Sequence, residues 1–202
     1  MRRRAAVWIL PLSLTFVLGT GTVKSQRDRL PPAAECPDDI EGTWASHDHN
    51  PQAQYWVQHT LFIERGEQPN SLVGRATART WKGGSELVQP PPCTGRRHYA
   101  VSYDGKGSLV GDEFRFAGYG GWTLERQFCG RNQNSYNIDS FVGTLNTEID
   151  ELQVVNNDGG SAVNRPTVFR RVQCGTAAMP FTPIQPLPQP PQTTTGWSCA
   201  SW

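Results

Sequence analysis

The chain has 202 residues, a formal net charge of +1, 18% charged residues and five cysteines. Its positive excess sits at the start: without the first 25 residues the charge falls to about −3, which excludes a general nucleic-acid binder, since that needs a basic face. No apolar run reaches the roughly 20 residues of a membrane-spanning helix, so no integral span is expected.

Residues 1–25 have the parts of a secretory signal peptide. Arg2, Arg3 and Arg4 lead, an apolar run from Ala5 to Leu18 follows, and small and polar residues end it. Val23 and Ser25 suit the small-residue positions before a cleavage site, so the cut is expected before Gln26. The mature chain then works in a secreted, periplasmic or extracellular setting. Residues 26–39 form an N-terminal extension.

The segment 40–174 reads as one all-β domain. Its length suits a single domain, and Gly and Pro recur too often for ordinary helices. Short runs rich in Val, Ile, Thr, Tyr, Phe and Trp are expected as strands. They cover Ile40–His47, Gln54–Arg65, Ser71–Lys82, Arg97–Asp104, Ser108–Ala117, Trp122–Phe128, Tyr136–Ile149, Leu152–Val155 and Thr167–Val172. The second alternates, with Tyr55, Val57, His59, Leu61 and Ile63 on one face. Eight to nine strands with short links make an antiparallel up-and-down sheet, and closing it into a barrel removes its edges. Ser71-Leu72-Val73-Gly74, Ser108-Leu109-Val110-Gly111 and Ser140-Phe141-Val142-Gly143 repeat a local pattern whose glycines suit sharp strand bends.

Residues 175–202 carry no charge and hold six of the sixteen prolines, the composition of a flexible Pro/Thr-rich tail. The cysteines are Cys36, Cys93, Cys129, Cys174 and Cys199, with no CxxC pair and no finger spacing to a histidine, so disulfides are expected rather than structural zinc. Four cysteines allow three connectivities. Position favours Cys36 with Cys174, which bracket the domain, and Cys93 with Cys129 inside it. Cys199 is then left for a disulfide-linked partner.

Gly42-Thr43-Trp44 opens the first strand, a meander follows, and Arg170 or Arg171 stands on the last strand. In these features the chain resembles lipocalins and related small ligand-binding barrels. The resemblance implies a barrel floor capped by Trp44 and a ligand cavity above it, without naming the ligand.

Candidate ligand contacts are Trp44, Tyr55, His59 and Trp81, with Arg75, Arg79 and Arg126 beside aromatic residues on shared strand faces. Turned inward, those guanidiniums among aromatics suit a small apolar or anionic ligand; turned outward, they form ordinary surface ladders. His47, His49 and His59 are the weak candidates for a metal, because i and i+2 share a strand face. No nucleophile elbow, phosphate loop or dinucleotide fingerprint occurs. Glu113, Glu125, Glu148 and Asp150 are the acids near strands. No catalytic residue and no cofactor is expected. Three readings stay open: a non-catalytic binder of a small or lipid-like ligand, a structural or adhesion module, and a hydrolase without a familiar motif.

Overall fold

The computed structural model describes residues 20–93, 96–160 and 162–175. The start of the signal-peptide segment, Cys199 and nearly all of the tail lie outside these. A short helix α1 (Thr20–Arg27) precedes eight strands: β1 (Gly42–Asn50), β2 (Tyr55–Arg65), β3 (Ser71–Lys82), β4 (His98–Val110), β5 (Glu113–Cys129), β6 (Ser140–Asn146), β7 (Glu151–Asn156) and β8 (Arg165–Cys174). Each pairs antiparallel with the next, and β8 pairs back to β1, so the sheet closes into an up-and-down barrel. No described helix is long and apolar enough to cross a membrane.

Side-chain alternation sends every second residue inward. At one end the interior is filled by Trp44, Leu61, Ile63, Leu72, Phe114, Phe116, Phe141, Leu152 and Phe169, all essentially inaccessible. Trp44 closes this floor. Its indole N–H donates to the Ile40 carbonyl at 2.9 Å, and the Arg171 guanidinium lies over its ring at 5.2 Å. Arg171 also donates to the Asp38 carbonyl and to the Asp150 carboxylate. Two disulfides, Cys36–Cys174 and Cys93–Cys129, tie the ends of the domain together and the β3–β4 connection to the end of β5.

Three expected strands become two. The break expected between Asp104 and Ser108 is absent: β4 runs through it, and Gly105 is there because the Phe116 ring occupies the place where a Cβ would sit, 2.2 Å away. The turn falls at Gly111, with φ of 62°. β5 then continues through Gly120-Gly121. Of the repeated glycines, Gly74 and Gly143 lie inside strands against a neighbouring carbonyl, whereas Gly111 makes that turn. The expected strand 136–149 shortens to 140–146, which frees Tyr136 and Asp139 to enter the barrel.

The closure between β1 and β8 is partial. Their backbones pair only over Gly42–Ala45 and Arg170–Cys174. Beyond that, the buried side chain of Gln26 bridges the gap. It accepts from Val168 N at 2.8 Å and donates to the Pro166 carbonyl and to Asp48 Oδ1, both at 3.0 Å.

Candidate functional site

At the end opposite the aromatic core the barrel holds a cavity of about 240 Å³. That lies below the ~300–1,000 Å³ of pockets for drug-sized ligands. Tyr55, Val57 and His59 reach it from β2, Thr80 and Lys82 from β3, and Tyr99 from β4. Asn156 from β7, Arg165 and Thr167 from β8, and Tyr136 and Asp139 from the β5–β6 connection add to the wall, with Asp48, Arg97 and Asp158.

Asp139 organises the inner end. It is 4% exposed and accepts from Tyr103 Oη at 2.8 Å, from Tyr136 Oη at 2.5 Å and from Asn156 Nδ2 at 2.8 Å. His59 Nε2 lies 3.4 Å from its Oδ2, close enough for charge attraction but without the alignment of a hydrogen bond. Burial acts to raise the Asp139 pKa, yet the charge of His59 and the donated hydrogen bonds outweigh it and hold the carboxyl below its ordinary range. Burial, reinforced by the Asp139 charge, pushes Tyr103 and Tyr136 well up, so both phenols stay protonated donors.

Two buried polar atoms at this end have no hydrogen-bond partner among the described residues: His59 Nε2 and Asn156 Oδ1. Their residues are 2% and 3% exposed and line the cavity. The Asn156 orientation follows from chemistry. A carboxylate only accepts, so the amide nitrogen faces Asp139 and the oxygen is left over.

Of the expected ligand contacts, Tyr55 and His59 line the cavity. Trp44 points inward but belongs to the packed floor. Arg75, Arg79, Trp81 and Arg126 do not line it. On β3 the inward set is Leu72, Ala76, Ala78, Thr80 and Lys82, so Arg75, Arg79 and Trp81 face out. Arg75 there binds Glu125 at 2.8 Å, and the Arg79 and Arg126 guanidiniums both lie over the Phe128 ring, at 4.8 and 4.9 Å.

The same alternation separates the three histidines. His47 and His49 stand on the outer face of β1, packed on Trp56, while His59 points into the barrel. Among the described residues no three His, Cys, Asp or Glu side chains group as a metal site. Outside the barrel, Trp56 and Trp81 stack at 6.1 Å beneath the β3–β4 connection and donate to the carbonyls of Gly84 and Leu87. His47 packs on both rings. Burial first, then the charge of Arg29, lowers its pKa to about 3.

Ser46, His59 and Asp139 follow one another at 3.4 Å intervals, but Ser46 is fully buried and does not line the cavity, so its hydroxyl has no access to a substrate. Of the acids near strands, Asp150 is engaged by Arg171 and Glu125 by Arg75. Sequence reasoning missed Asp139, Asn156, Tyr99 and Tyr136. Asp139 carried no signal beyond an isolated acid, because its partners come from four separate segments.

The chain matches no protein-family model, no curated protein and no solved structure.

Proposed function

We propose that this is an exported, non-catalytic binding protein that holds a small polar ligand in the cavity of a lipocalin-like barrel. The observation that carries this reading is a pair of buried polar atoms without a hydrogen-bond partner among the described residues, Asn156 Oδ1 and His59 Nε2 (the latter 3.4 Å from Asp139), on residues that line a cavity walled by tyrosines. A buried polar group left unsatisfied costs about 1–3 kcal/mol, and a bound ligand relieves that cost. Aromatic side chains fill the other half of the barrel, so the space suits a compact polar molecule rather than an acyl chain. The Trp44–Arg171 stack at the floor supports the lipocalin likeness. Export fits two disulfides, which persist in oxidising compartments.

The test is a native mass spectrum of the full-length gene product expressed for export, purified without refolding. The expected result is a retained mass, released on denaturation, that Asn156→Leu loses. If wild type and variant both fly as bare chains, or both keep the same mass, the cavity is not the binding site.

A further inference from the structure

The cavity wall separates two kinds of polar group. At the inner end stand Asn156 Oδ1, without a hydrogen-bond partner among the described residues, and His59 Nε2, whose neighbour is the Asp139 carboxylate at 3.4 Å. The amide oxygen can only accept, so a ligand atom there must donate. The imidazole nitrogen faces the Asp139 carboxylate, so it carries the proton and donates. One hydroxyl meets both needs, since it donates once and accepts through its lone pairs.

The formal charges lining the cavity balance, with Asp48, Asp139 and Asp158 against Lys82, Arg97 and Arg165, but they are not paired evenly. Asp48 is taken by Arg165 and Gln26. Asp139 accepts from three donors, and Asp158 accepts from the backbone of Gly160 and Ala162. Lys82 and Arg97 line the cavity, are exposed, and form no ion pair with a carboxylate among the described residues; Lys82 Nζ donates to the Ala53 carbonyl at 2.7 Å and lies 5.8 Å over the Tyr55 ring. Between the two ends, Tyr55, Tyr99 and Tyr136 supply flat apolar walls.

We propose that the ligand is a small planar hydroxy acid of the phenol-carboxylate class, its hydroxyl on His59 and Asn156 and its carboxylate toward Lys82 and Arg97. This rests on the binding reading above and adds the class of molecule bound. Ring and tyrosine faces match in shape, and the carboxylate gains charge-assisted hydrogen bonds that a neutral ligand lacks.

The experiment is calorimetric titration of the exported protein with para-hydroxybenzoate, benzoate and para-hydroxybenzyl alcohol. para-Hydroxybenzoate is expected to bind best. Loss of the hydroxyl or of the carboxylate should each weaken binding by about tenfold or more. In Lys82→Gln/Arg97→Gln, whose exposed side chains leave the fold intact, the acid should lose its advantage over the alcohol but keep its advantage over benzoate. In Asn156→Leu the advantage over benzoate should disappear. Equal affinity for the three probes overturns the assignment, as does a double variant that still prefers the acid. If no probe binds while the native spectrum still shows a mass that Asn156→Leu loses, this inference falls and the binding reading stands. If neither appears, both fall.

Discussion

Mild acid should loosen the outer aromatic layer through His47. The imidazole is 5% exposed, lies 5.1 Å from the Trp56 ring and 5.7 Å from Trp81, and titrates near 3 instead of 6.5. The folded-state value is the depressed one. The unfolded chain therefore takes up the proton first, and stability present above about pH 6.5 is lost as pH falls toward 3. Each unit is worth about 1.4 kcal/mol, so moving from pH 7 to about pH 5 removes ~2 kcal/mol through His47 alone, and by pH 3 the loss is ~4 kcal/mol. His98, held at about 4 by burial and by Arg79, acts in the same direction. Asp38, Glu125 and Asp139 are held below the usual carboxylate range, so their contributions begin to be lost only as pH falls through the unfolded values of 3.8 to 4.5, and the window from pH 7 to about pH 5 is left to the histidines. The assay is urea unfolding followed by tryptophan fluorescence at both pH values, in wild type and in His47→Gln, which keeps a polar group of similar length without the titration. The variant should lose about 2 kcal/mol less than wild type between them. Parallel losses in the two proteins would refute the assignment.

Two further outcomes follow from the frame of the barrel. Replacing Cys36 and Cys174 by Ser opens a loop of 138 residues, and the chain-entropy relation expects about 5 kcal/mol less stability, read from urea midpoints without reductant. Arg171→Met keeps most of the apolar contact with Trp44 but strands the Asp150 carboxylate and the Asp38 carbonyl, and should cost about 3 kcal/mol in the same assay.

The barrel was legible because its signals are local. The alternation of β2 placed Tyr55, Val57, His59, Leu61 and Ile63 on one face, and they are the inward residues. The bracketing cysteines pair as position suggested. What misled was punctuation without context. Gly105 reads as a turn in any window, yet it sits where it does because Phe116, eleven residues on, needs the room. Asp48-His49-Asn50 reads as loop, yet β1 extends through it, with Asp48 held by Gln26 and Arg165 from opposite ends of the chain. The direction of Arg75, Arg79 and Trp81 was open for a related reason. Alternation separates the two faces of a strand but does not say which one the barrel encloses. The Asp139 cluster was invisible for lack of any local pattern at all.

The two faces of β2 and β3 bear on how so small a cavity would hold the proposed ligand. Inside, these strands carry Tyr55, His59, Thr80 and Lys82; outside, they carry Trp56 and Trp81, covered by the β3–β4 connection that Cys93–Cys129 anchors. The wall is thus packed on its far side, and the aromatic core closes it below. A ligand of about ten heavy atoms has few contacts to offer, and every side chain ordered on binding subtracts about 0.5–1.5 kcal/mol from them. Micromolar affinity, about −8 kcal/mol, is within reach of such a ligand only if the site is already formed. An acyl-binding barrel solves a different problem, with a deep empty interior whose affinity grows with buried chain length. Here that interior is filled by Phe114, Phe116, Phe141 and Phe169, and the remaining space has its polar partners fixed before any ligand arrives.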